Sequence, residues 1–167
     1  MTAKEVIHLL GLDPLPHEGG FYRQTYKATG LIPANTLPQH EGERSYGTAI
    51  YYLVTPESFS TLHLVPQDEI FHFYLGDPVE MLQLHKNGKT QKVIIGPDLQ
   101  SGQRPQVIVP GNVWQGTRLL EGGQWALLGC TVSPGFEFSD FKIKSRSELV
   151  ALFPQHSKLI KEFTRED

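Results

Sequence analysis

Short apolar runs separated by turn residues fill the middle of the chain. Four of these runs are rich in Val, Ile, Leu and aromatic side chains: residues 48–54, 79–85, 90–95 and 124–132. The Asn87-Gly88 pair between the second and third run is a strong signal for a β-hairpin turn at residues 86–89. Strands at this short spacing, about eight to ten in all, are typical of a β-sandwich or barrel and not of alternating βαβ units.

Helical patterns lie at the two ends of the chain. Thr2 and Glu5 form a capping box ahead of a short apolar face, which predicts a helix over residues 2–10. Serine caps predict further helical structure over about residues 145–165, in which Pro154 opens a second helix. The chain is therefore predicted to be all-β, with short N- and C-terminal helices flanking the strands.

Length and turn composition predict one domain and one long loop. At 167 residues the chain fits a single domain over residues 1–167, with the barrel at about 18–143. Residues 27–47 are polar and rich in Pro, Gly and Asn, which predicts a long surface loop of the kind that often forms a lid. Residues 136–143, which follow a Ser-Pro-Gly turn, are predicted to be extended.

Charge and cysteine content exclude several classes of protein. The formal net charge is -3 without long runs of like charge, which argues against a nucleic-acid-binding face. The N-terminus carries a lysine and a glutamate before a very short apolar run, so neither a signal peptide nor a membrane span is expected, and we predict a cytoplasmic protein. The single Cys130 excludes an intramolecular disulfide, and its apolar neighbours favour a buried, inert thiol over a nucleophile.

Candidate chemistry concentrates between His63 and Gly76. Alternation puts His63 on one face of a strand and Glu69 on one face of the next, so the two side chains could converge inside one β-layer. We interpret His63 as a catalytic base and Glu69 as its partner or as an acid, because an apolar barrel would shift the protonation of the carboxyl group. A purely structural pair, in which Glu69 satisfies a buried histidine, is the alternative.

Several other side chains are candidates for binding a substrate. The predicted strand at residues 21–26 offers Arg23 for an anionic group, although a strand-edge arginine with its guanidinium in solvent is an equal alternative. His72 could support the site or form an ordinary strand hydrogen bond, since it lies an odd number of residues from Glu69. The remaining candidates are aromatic or amide side chains typical of a small-molecule pocket: Tyr22, Phe71, Phe73, Trp114 and Gln115.

The stretch from His63 to Gly76 resembles the first motif of the cupin superfamily, which runs from a glycine through His-x-His and a glutamate to a closing glycine. His63, Glu69 and Gly76 fall on its first histidine, its glutamate and its closing glycine. The second histidine falls on Val65 and the leading glycine on Glu57, so the match is partial.

A second cupin motif, Pro-x-Gly-x-x-His, is also partly present. Pro110 fits, Gly111 arrives one place early, and Gln115 occupies the histidine position. The resemblance implies that a divalent metal, Zn, Ni or Fe, would be held by His63, Glu69 and Gln115. Two of the usual metal-binding histidines are missing, and a neutral amide is a weak ligand for such metals.

More of the chain resembles one branch of that superfamily, the cupin_5 or DUF985 family, which is related in fold to the deoxysugar 3,5-epimerases. Five segments carry this resemblance: residues 17–23, 48–53, 68–76, 109–115 and 129–141. It implies a double-stranded β-helix, a jelly-roll-like barrel with a pocket inside, and a homodimer. It implies no assigned reaction.

Three functions remain open from the sequence. The first is an acid/base isomerase or epimerase acting on a small, sugar-like molecule through His63 and Glu69. The second is a non-catalytic protein that binds an aromatic or nucleobase-like molecule in the same pocket. The third is a barrel filled by its own side chains. We also predict a homodimer, in which the strand at residues 19–26 pairs across a two-fold axis, because a small barrel leaves sheet edges to cover.

Overall fold

Capping residues set the limits of the first helix, α1 (Ala3–Leu10). The computed structural model describes residues 1–166, so the last residue of the predicted domain, Asp167, lies outside the described part. The Thr2 hydroxyl accepts a hydrogen bond from the Glu5 amide, and the Glu5 carboxylate accepts one from the Thr2 amide. Gly11 ends the helix at φ 59°, a left-handed conformation that costs glycine least.

Thirteen antiparallel strands lie between α1 and the C-terminal helices of the described chain. In chain order they are β1 (Asp13–Pro14), β2 (Phe21–Lys27), β3 (Leu31–Ile32), β4 (Arg44–Ser45), β5 (Thr48–Val54), β6 (Ser60–Leu64), β7 (Asp68–Gly76), β8 (Val79–Leu84), β9 (Thr90–Ile95), β10 (Gln106–Val109), β11 (Trp114–Leu119), β12 (Ala126–Ser133) and β13 (Lys142–Ile143). The sequence predicts fewer strands because β1, β3, β4 and β13 have two residues each, too short to show alternation.

Two main sheets are built from strands that are mixed along the chain. One has six strands in the order β1-β2-β5-β12-β7-β10, and the other has five in the order β13-β6-β11-β8-β9. Strands β5 to β8 alternate between the two sheets, so each crossover carries the chain from one sheet to the other. Strands β3 and β4 form a separate two-stranded sheet.

The inner faces of both sheets share one hydrophobic core. Val54, Phe71 and Leu128 from the six-stranded sheet pack in the same cluster as Val79 and Met81 from the five-stranded sheet. Alternate residues of each strand point into this cluster, as a pleated strand requires. The predicted all-β fold with short terminal helices is confirmed, in the form of a sandwich of two sheets.

The terminal helices cover the outer faces of the two sheets. Val6 of α1 packs with Leu53 and Leu127 on the six-stranded sheet. At the other end, α2 (Arg146–Leu152) and α3 (Ser157–Glu162) pack on the five-stranded sheet. None of the helices within residues 1–166 is long and apolar enough to span a membrane.

The C-terminal helices differ from the prediction at Pro154. Ser145 caps α2 as expected, but Pro154–His156 form a 3-10 turn and the next helix starts only at Ser157. A proline disfavours helical backbone in the residue before it, and Phe153 accordingly adopts φ -133° and ψ 62°. The chain therefore turns between α2 and α3.

Two segments predicted from composition fold differently. Residues 136–143 are not one extended strand, because Phe138–Asp140 form a 3-10 helix before β13. The polar segment 27–47 contains β3 and β4 and buries three of its charged or polar side chains, His40, Arg44 and Ser45. Both differences have one cause: Asp140 pairs with His40 and Arg44, which draws the two segments together.

Candidate functional site

A cavity of about 260 Å³ lies between the two sheets at one end of the shared core. It excludes the reading in which the barrel is filled by its own side chains. Most of its wall is apolar or aromatic, and its polar side chains gather at one side. The aromatic lining residues are Tyr22, Tyr52, Phe71, Phe136, Phe138 and Phe141, and the polar ones are Glu18, Gln24, Thr48, His63 and Glu69.

A β-bulge aims His63 into this cavity. Gln115 pairs with His63 and Thr117 pairs with Ser60, so two residue steps on β11 face three on β6. Ser60 and His63 therefore share the inner face, although three residues apart in a regular strand would point to opposite faces. A Cβ on Gly116 would lie 3.0 Å from the Ser60 carbonyl oxygen, so a glycine there lets the strands approach at the bulge.

The Gln115 side chain joins the two predicted catalytic residues. Its Nε2 donates to His63 Nε2 at 2.8 Å and to Glu69 Oε2 at 3.1 Å. His63 Nδ1 lies 2.8 Å from the Thr61 carbonyl oxygen, which can only accept, so Nδ1 carries the proton and Nε2 presents its lone pair. All three side chains are buried, and they come from both sheets.

Glu18 is a fourth member of the site, and sequence reasoning missed its role. Its Oε1 accepts a hydrogen bond from Ser60 Oγ at 2.8 Å, and its Oε2 lies 3.8 Å from His63 Nε2. Gly20 follows at φ 73°, and a Cβ there would come within 2.6 Å of the Tyr52 hydroxyl. The Gly-Gly pair after Glu18 was the sequence signal that could have indicated this role, because two glycines let the backbone turn tightly beside the cavity.

Burial controls the protonation of the groups in the cavity. It raises the pKa of Glu69 above the ordinary value, and the second carboxylate at Glu18 adds to the effect, while His63 and Gln115 oppose it. Burial also raises the pKa of the Cys130 thiol well above its ordinary value, reinforced by Glu69, whose Oε1 lies 3.9 Å from Sγ. A thiol in this state is a poor nucleophile, which agrees with the inert reading of Cys130.

Two predicted binding residues lie on the outer face of the six-stranded sheet. Arg23 donates from Nη1 to the Leu10 carbonyl oxygen at 2.7 Å, so it holds the end of α1 and does not reach the cavity. The inner face of β2 carries Tyr22 and Gln24 instead, and a register shift between Gln24 and Tyr26 interrupts the alternation along this strand. His72 is also outward, with Nε2 3.2 Å from Thr131 Oγ1.

Two predicted aromatic lining residues also lie elsewhere. Phe73 packs at the edge of the shared core, beyond the cavity wall. Trp114 faces the C-terminal helices and packs with Phe153 and Phe163. Because neighbours in a strand point to opposite faces, the inward position of Gln115 forces Trp114 outward.

A buried ionic network holds in place a segment that carries three aromatic residues of the cavity wall. The Asp140 carboxylate accepts hydrogen bonds from Arg44 Nε at 2.9 Å, Arg44 Nη2 at 2.7 Å and Gln67 Nε2 at 2.5 Å, and His40 Nδ1 lies 3.2 Å from it. Asp140 belongs to the same short segment as three lining residues that sequence reasoning missed: Phe136, Phe138 and Phe141. No local pattern shows that this segment closes a cavity, since its partners are about a hundred residues away in the chain.

The predicted metal ligands meet but do not form a metal-binding group. His63 and Glu69 both contact Gln115 through its amide nitrogen, whose N–H groups donate and offer no lone pair to a metal. Zn, Ni and Fe sites need three or more suitable donors around one point. Within residues 1–166, no group of three or more His, Cys, Asp and Glu side chains is arranged to hold a metal ion. The donors present therefore do not fit the predicted Zn, Ni or Fe site.

Comparison with solved structures finds near-complete matches. A hypothetical protein from Leishmania major is 31% identical, with a TM-score of 0.91 over 99% of this chain and 100% of that chain. Protein SO0799 from Shewanella oneidensis is also 31% identical, with a TM-score of 0.88 over 100% and 99% of the two chains. Oxalate decarboxylase from Bacillus subtilis is 13% identical, with a TM-score of 0.54 over 93% of this chain and 38% of that chain, which is a likeness of fold alone.

Comparison of sequences points to the same family. An uncharacterized protein of Saccharomyces cerevisiae, YML079W, is 27% identical over an alignment of 143 residues, and the match covers 79% of this chain and 71% of the yeast protein. The family model Cupin_5, described as cupin superfamily (DUF985), matches residues 4–144. The match covers most of the chain, including His63, Glu69, Gln115 and the aromatic segment near Asp140. This protein belongs to the Cupin_5 (DUF985) family of the cupin superfamily.

Proposed function

We propose that the cavity binds a small polar, sugar-like molecule and that His63 and Glu69 isomerise or epimerise it by acid/base catalysis. One observation carries the proposal: one amide joins an imidazole and a carboxyl group, a base and an acid, at the wall of a largely apolar cavity. Pairs of titratable groups in one apolar site are the usual equipment of proton-transfer enzymes. The low-identity likeness to other cupins supports the fold and carries nothing about this reaction.

Each group has a role that follows from its contacts. His63 Nε2 is the base, because the Thr61 carbonyl keeps the proton on Nδ1. The Nε2 lone pair accepts the Gln115 N–H in the observed geometry, and a substrate C–H competes for it when the amide turns away. His63 removes a proton from a carbon next to a substrate carbonyl, and the resulting charge is delocalised onto the carbonyl oxygen. Glu69, whose pKa is raised by burial, keeps its proton to a higher pH than an exposed glutamate and returns a proton to the substrate.

Gln115 suits both protonation states of the pair. Its Nε2 donates to a neutral His63 and an ionised Glu69 in the geometry described, while its Oε1 is buried without a partner among the described residues. Rotation of the amide by half a turn would direct Oε1 to the same two side chains when both are protonated. The two orientations of the amide thus fit the site with neither facing group protonated and the site with both protonated, without moving the backbone.

Solvent-exchange measurements test this proposal. Purified protein in D₂O with a panel of aldoses, ketoses and keto acids, followed by proton NMR, should lose the signal of one carbon-bound proton in at least one compound. His63→Ala and Glu69→Gln should each slow that exchange by about 10²-fold or more, the usual contribution of a positioned acid or base. Glu57→Gln, which changes an exposed glutamate, is the matched control and should exchange at the wild-type rate. If no compound exchanges faster with wild type than with His63→Ala, the catalytic proposal is wrong.

The non-catalytic binding protein remains the second candidate, favoured by the six aromatic side chains that line the cavity. Native mass spectrometry and thermal-shift screening separate the two functions. A binding protein shows saturable stabilisation by a ligand that is recovered unchanged. An enzyme releases an isomer of the compound that stabilises it. The predicted cytoplasmic location stays a prediction.

A further inference from the structure

The cavity contains two buried carboxylates and no basic side chain of fixed charge. Glu18 is 9% exposed and Glu69 is 6% exposed. No Lys or Arg from residues 1–166 lines the cavity, and its one titratable nitrogen belongs to His63. Buried carboxylates are normally paired with a cation, because removing an unpaired charge from water is costly. The chain itself supplies too little positive charge for both.

The polar atoms at the cavity are mainly acceptors of hydrogen bonds. His63 directs its one N–H to the Thr61 carbonyl, and the Tyr52 hydroxyl donates to the Gly19 carbonyl at 2.8 Å. Glu69 Oε1 has only a weak thiol contact at 3.9 Å, and Glu18 Oε2 lies 3.8 Å from its nearest ionic partner. Both oxygens keep the capacity to accept a hydrogen bond from a ligand.

The rest of the cavity wall includes a set of aromatic rings that favours an organic cation. Tyr22 meets Phe138 edge to face at a centroid distance of 6.5 Å, and Phe136 meets Phe138 in the same way at 5.2 Å. Phe141 stacks on the His63 ring at 5.1 Å. Aromatic faces attract ammonium groups and bury hydrocarbon, whereas they offer no ligand to a metal ion.

We infer that the ligand of this cavity carries an ammonium group, which binds between Glu18 and Glu69, and an apolar or ring portion, which packs against Tyr22, Phe138 and Phe141. The inference rests on the proposed function for the location of the site, and it names the chemical class of the substrate. It replaces the sequence-based expectation of an anionic group held by Arg23, which lies on the other face of the sheet.

The size of the cavity limits the ligand to one ring with a short arm, or a compound of similar bulk. An engineered apolar cavity of about 150 Å³ accepts benzene, and this cavity has about 260 Å³. Benzylamine, benzyl alcohol and benzoate are therefore suitable probes. They share one ring and nearly one shape, and at neutral pH they carry charges of plus one, zero and minus one.

Calorimetric titration of the intact protein with the three probes tests the inference. Wild type should bind benzylamine at least tenfold more tightly than benzoate. Glu18→Gln keeps the acceptor for Ser60 but removes one charge. It should therefore weaken the binding of benzylamine at least fivefold and change the binding of benzyl alcohol less than twofold. Glu57→Gln, with the same charge change at an exposed position, should bind all three probes as wild type does.

Other outcomes overturn the inference. These are benzoate binding as tightly as benzylamine, an equal loss of amine and alcohol binding in Glu18→Gln, or no binding of benzylamine by wild type. Titration with zinc chloride alone is a separate arm, and Glu18-dependent zinc binding without amine binding would also overturn it. Should Glu18→Gln fail to fold by circular dichroism, Glu69→Gln takes its place with the same expected pattern.

The failure of this inference and of the proposed function are distinguishable. Selective benzylamine binding without any proton exchange in a panel extended to amino sugars and aminoketones supports the ammonium site and removes the catalytic role. Proton exchange in an anionic or uncharged compound, together with no preference for benzylamine, supports the catalytic role and removes the ammonium site.

Discussion

At the scale of single residues, the buried carboxyl group of Glu69 lowers the stability of the fold when it is ionised, and it has a proposed role in the site. It is 6% exposed, and its Oε2 accepts a hydrogen bond from Gln115 while Oε1 has only a thiol nearby. A carboxylate with so little support is destabilising when ionised, as groups poised for function often are. Removing its charge should therefore stabilise the fold while it impairs the site.

We predict that Glu69→Gln is more stable than wild type at neutral pH, by about 1 kcal/mol, or roughly 2–4 °C in Tm for a chain of this size. The amide keeps an acceptor for Gln115. Because the folded pKa of Glu69 is raised, its favourable contribution is complete below the ordinary value of about 4.3 and is lost as pH rises through the folded pKa. The difference in Tm should therefore vanish below about pH 4 and grow above it.

Thermal melts of both proteins across this pH range measure the difference. Glu57→Gln should show no such pH-dependent gain, since its side chain is exposed in both states. A Glu69→Gln protein that melts below wild type at pH 7 would contradict the assignment of Glu69 as a strained, buried acid.

At the scale of elements, irregular structure builds the site and regular structure supports it. The bulge between β6 and β11 brings Ser60 and His63 to one face. The 3-10 helix Phe138–Asp140 places aromatic rings at the cavity, and Asp140 ties it to the segment that carries His40 and Arg44. The bulge and the 3-10 helix both interrupt regular antiparallel pairing. Each directs side chains into the cavity that a regular strand would direct elsewhere.

We predict that Asp140→Asn destabilises the fold by about 3–5 kcal/mol at neutral pH, because it leaves the Arg44 guanidinium buried without its anion. Burial opposes ionisation of Asp140, but hydrogen bonds from Arg44, Gln67 and His40 outweigh it and hold the pKa below the ordinary value. The stabilisation is thus complete above about pH 4 and is lost as pH falls through the folded pKa.

Urea unfolding of wild type and Asp140→Asn at several pH values tests this. Their difference should be constant from about pH 8 to pH 5 and shrink at more acidic pH. Asp13→Asn, at an exposed position on β1, is the control and should stay within about 0.5 kcal/mol of wild type. A loss below 1 kcal/mol in Asp140→Asn would show that the network contributes little to holding the segment.

At the scale of the whole molecule, one edge of the six-stranded sheet is largely uncovered. Strand β1 pairs with β2 only at Phe21 and Tyr22. The following residues of β2, from Arg23 to Lys27, are exposed, and Tyr26 is 59% exposed. An open edge with its backbone groups unpaired favours pairing with a second copy across a two-fold axis.

We predict a homodimer formed by antiparallel pairing of β2 with β2 of a second copy. Light scattering at micromolar concentration should give twice the monomer mass of 18.8 kDa. Tyr26→Lys puts a charge on this edge of each copy and should shift the protein to the monomer. Ile108→Lys changes a residue of equal exposure, 58%, on β10 at the opposite edge and should leave the dimer intact. A monomer mass for wild type, or dissociation by Ile108→Lys alone, would contradict this arrangement.

The sequence by itself determined the features that depend on near neighbours. The Thr2 capping box and the Asn87-Gly88 hairpin both involve residues within a few positions of one another. The sequence also predicted that His63 and Glu69 converge, but within one β-layer, whereas β6 and β7 belong to different sheets and the two side chains meet between them through Gln115. These local preferences and the family motifs were sufficient to predict an all-β cupin fold with a polar pair inside.

Only the tertiary structure decided which face of each strand became the cavity and what joined the pair. Alternation cannot tell an inner face from an outer one, so the sequence left Arg23 either in the pocket or at the strand edge, and the packing of α1 places it outward. Gln115 reaches His63 across 52 positions, Ser60 reaches Glu18 across 42, and Arg44 reaches Asp140 across 96. Contacts at such separations form only when the two sheets close on a shared core, because no local backbone preference encodes them.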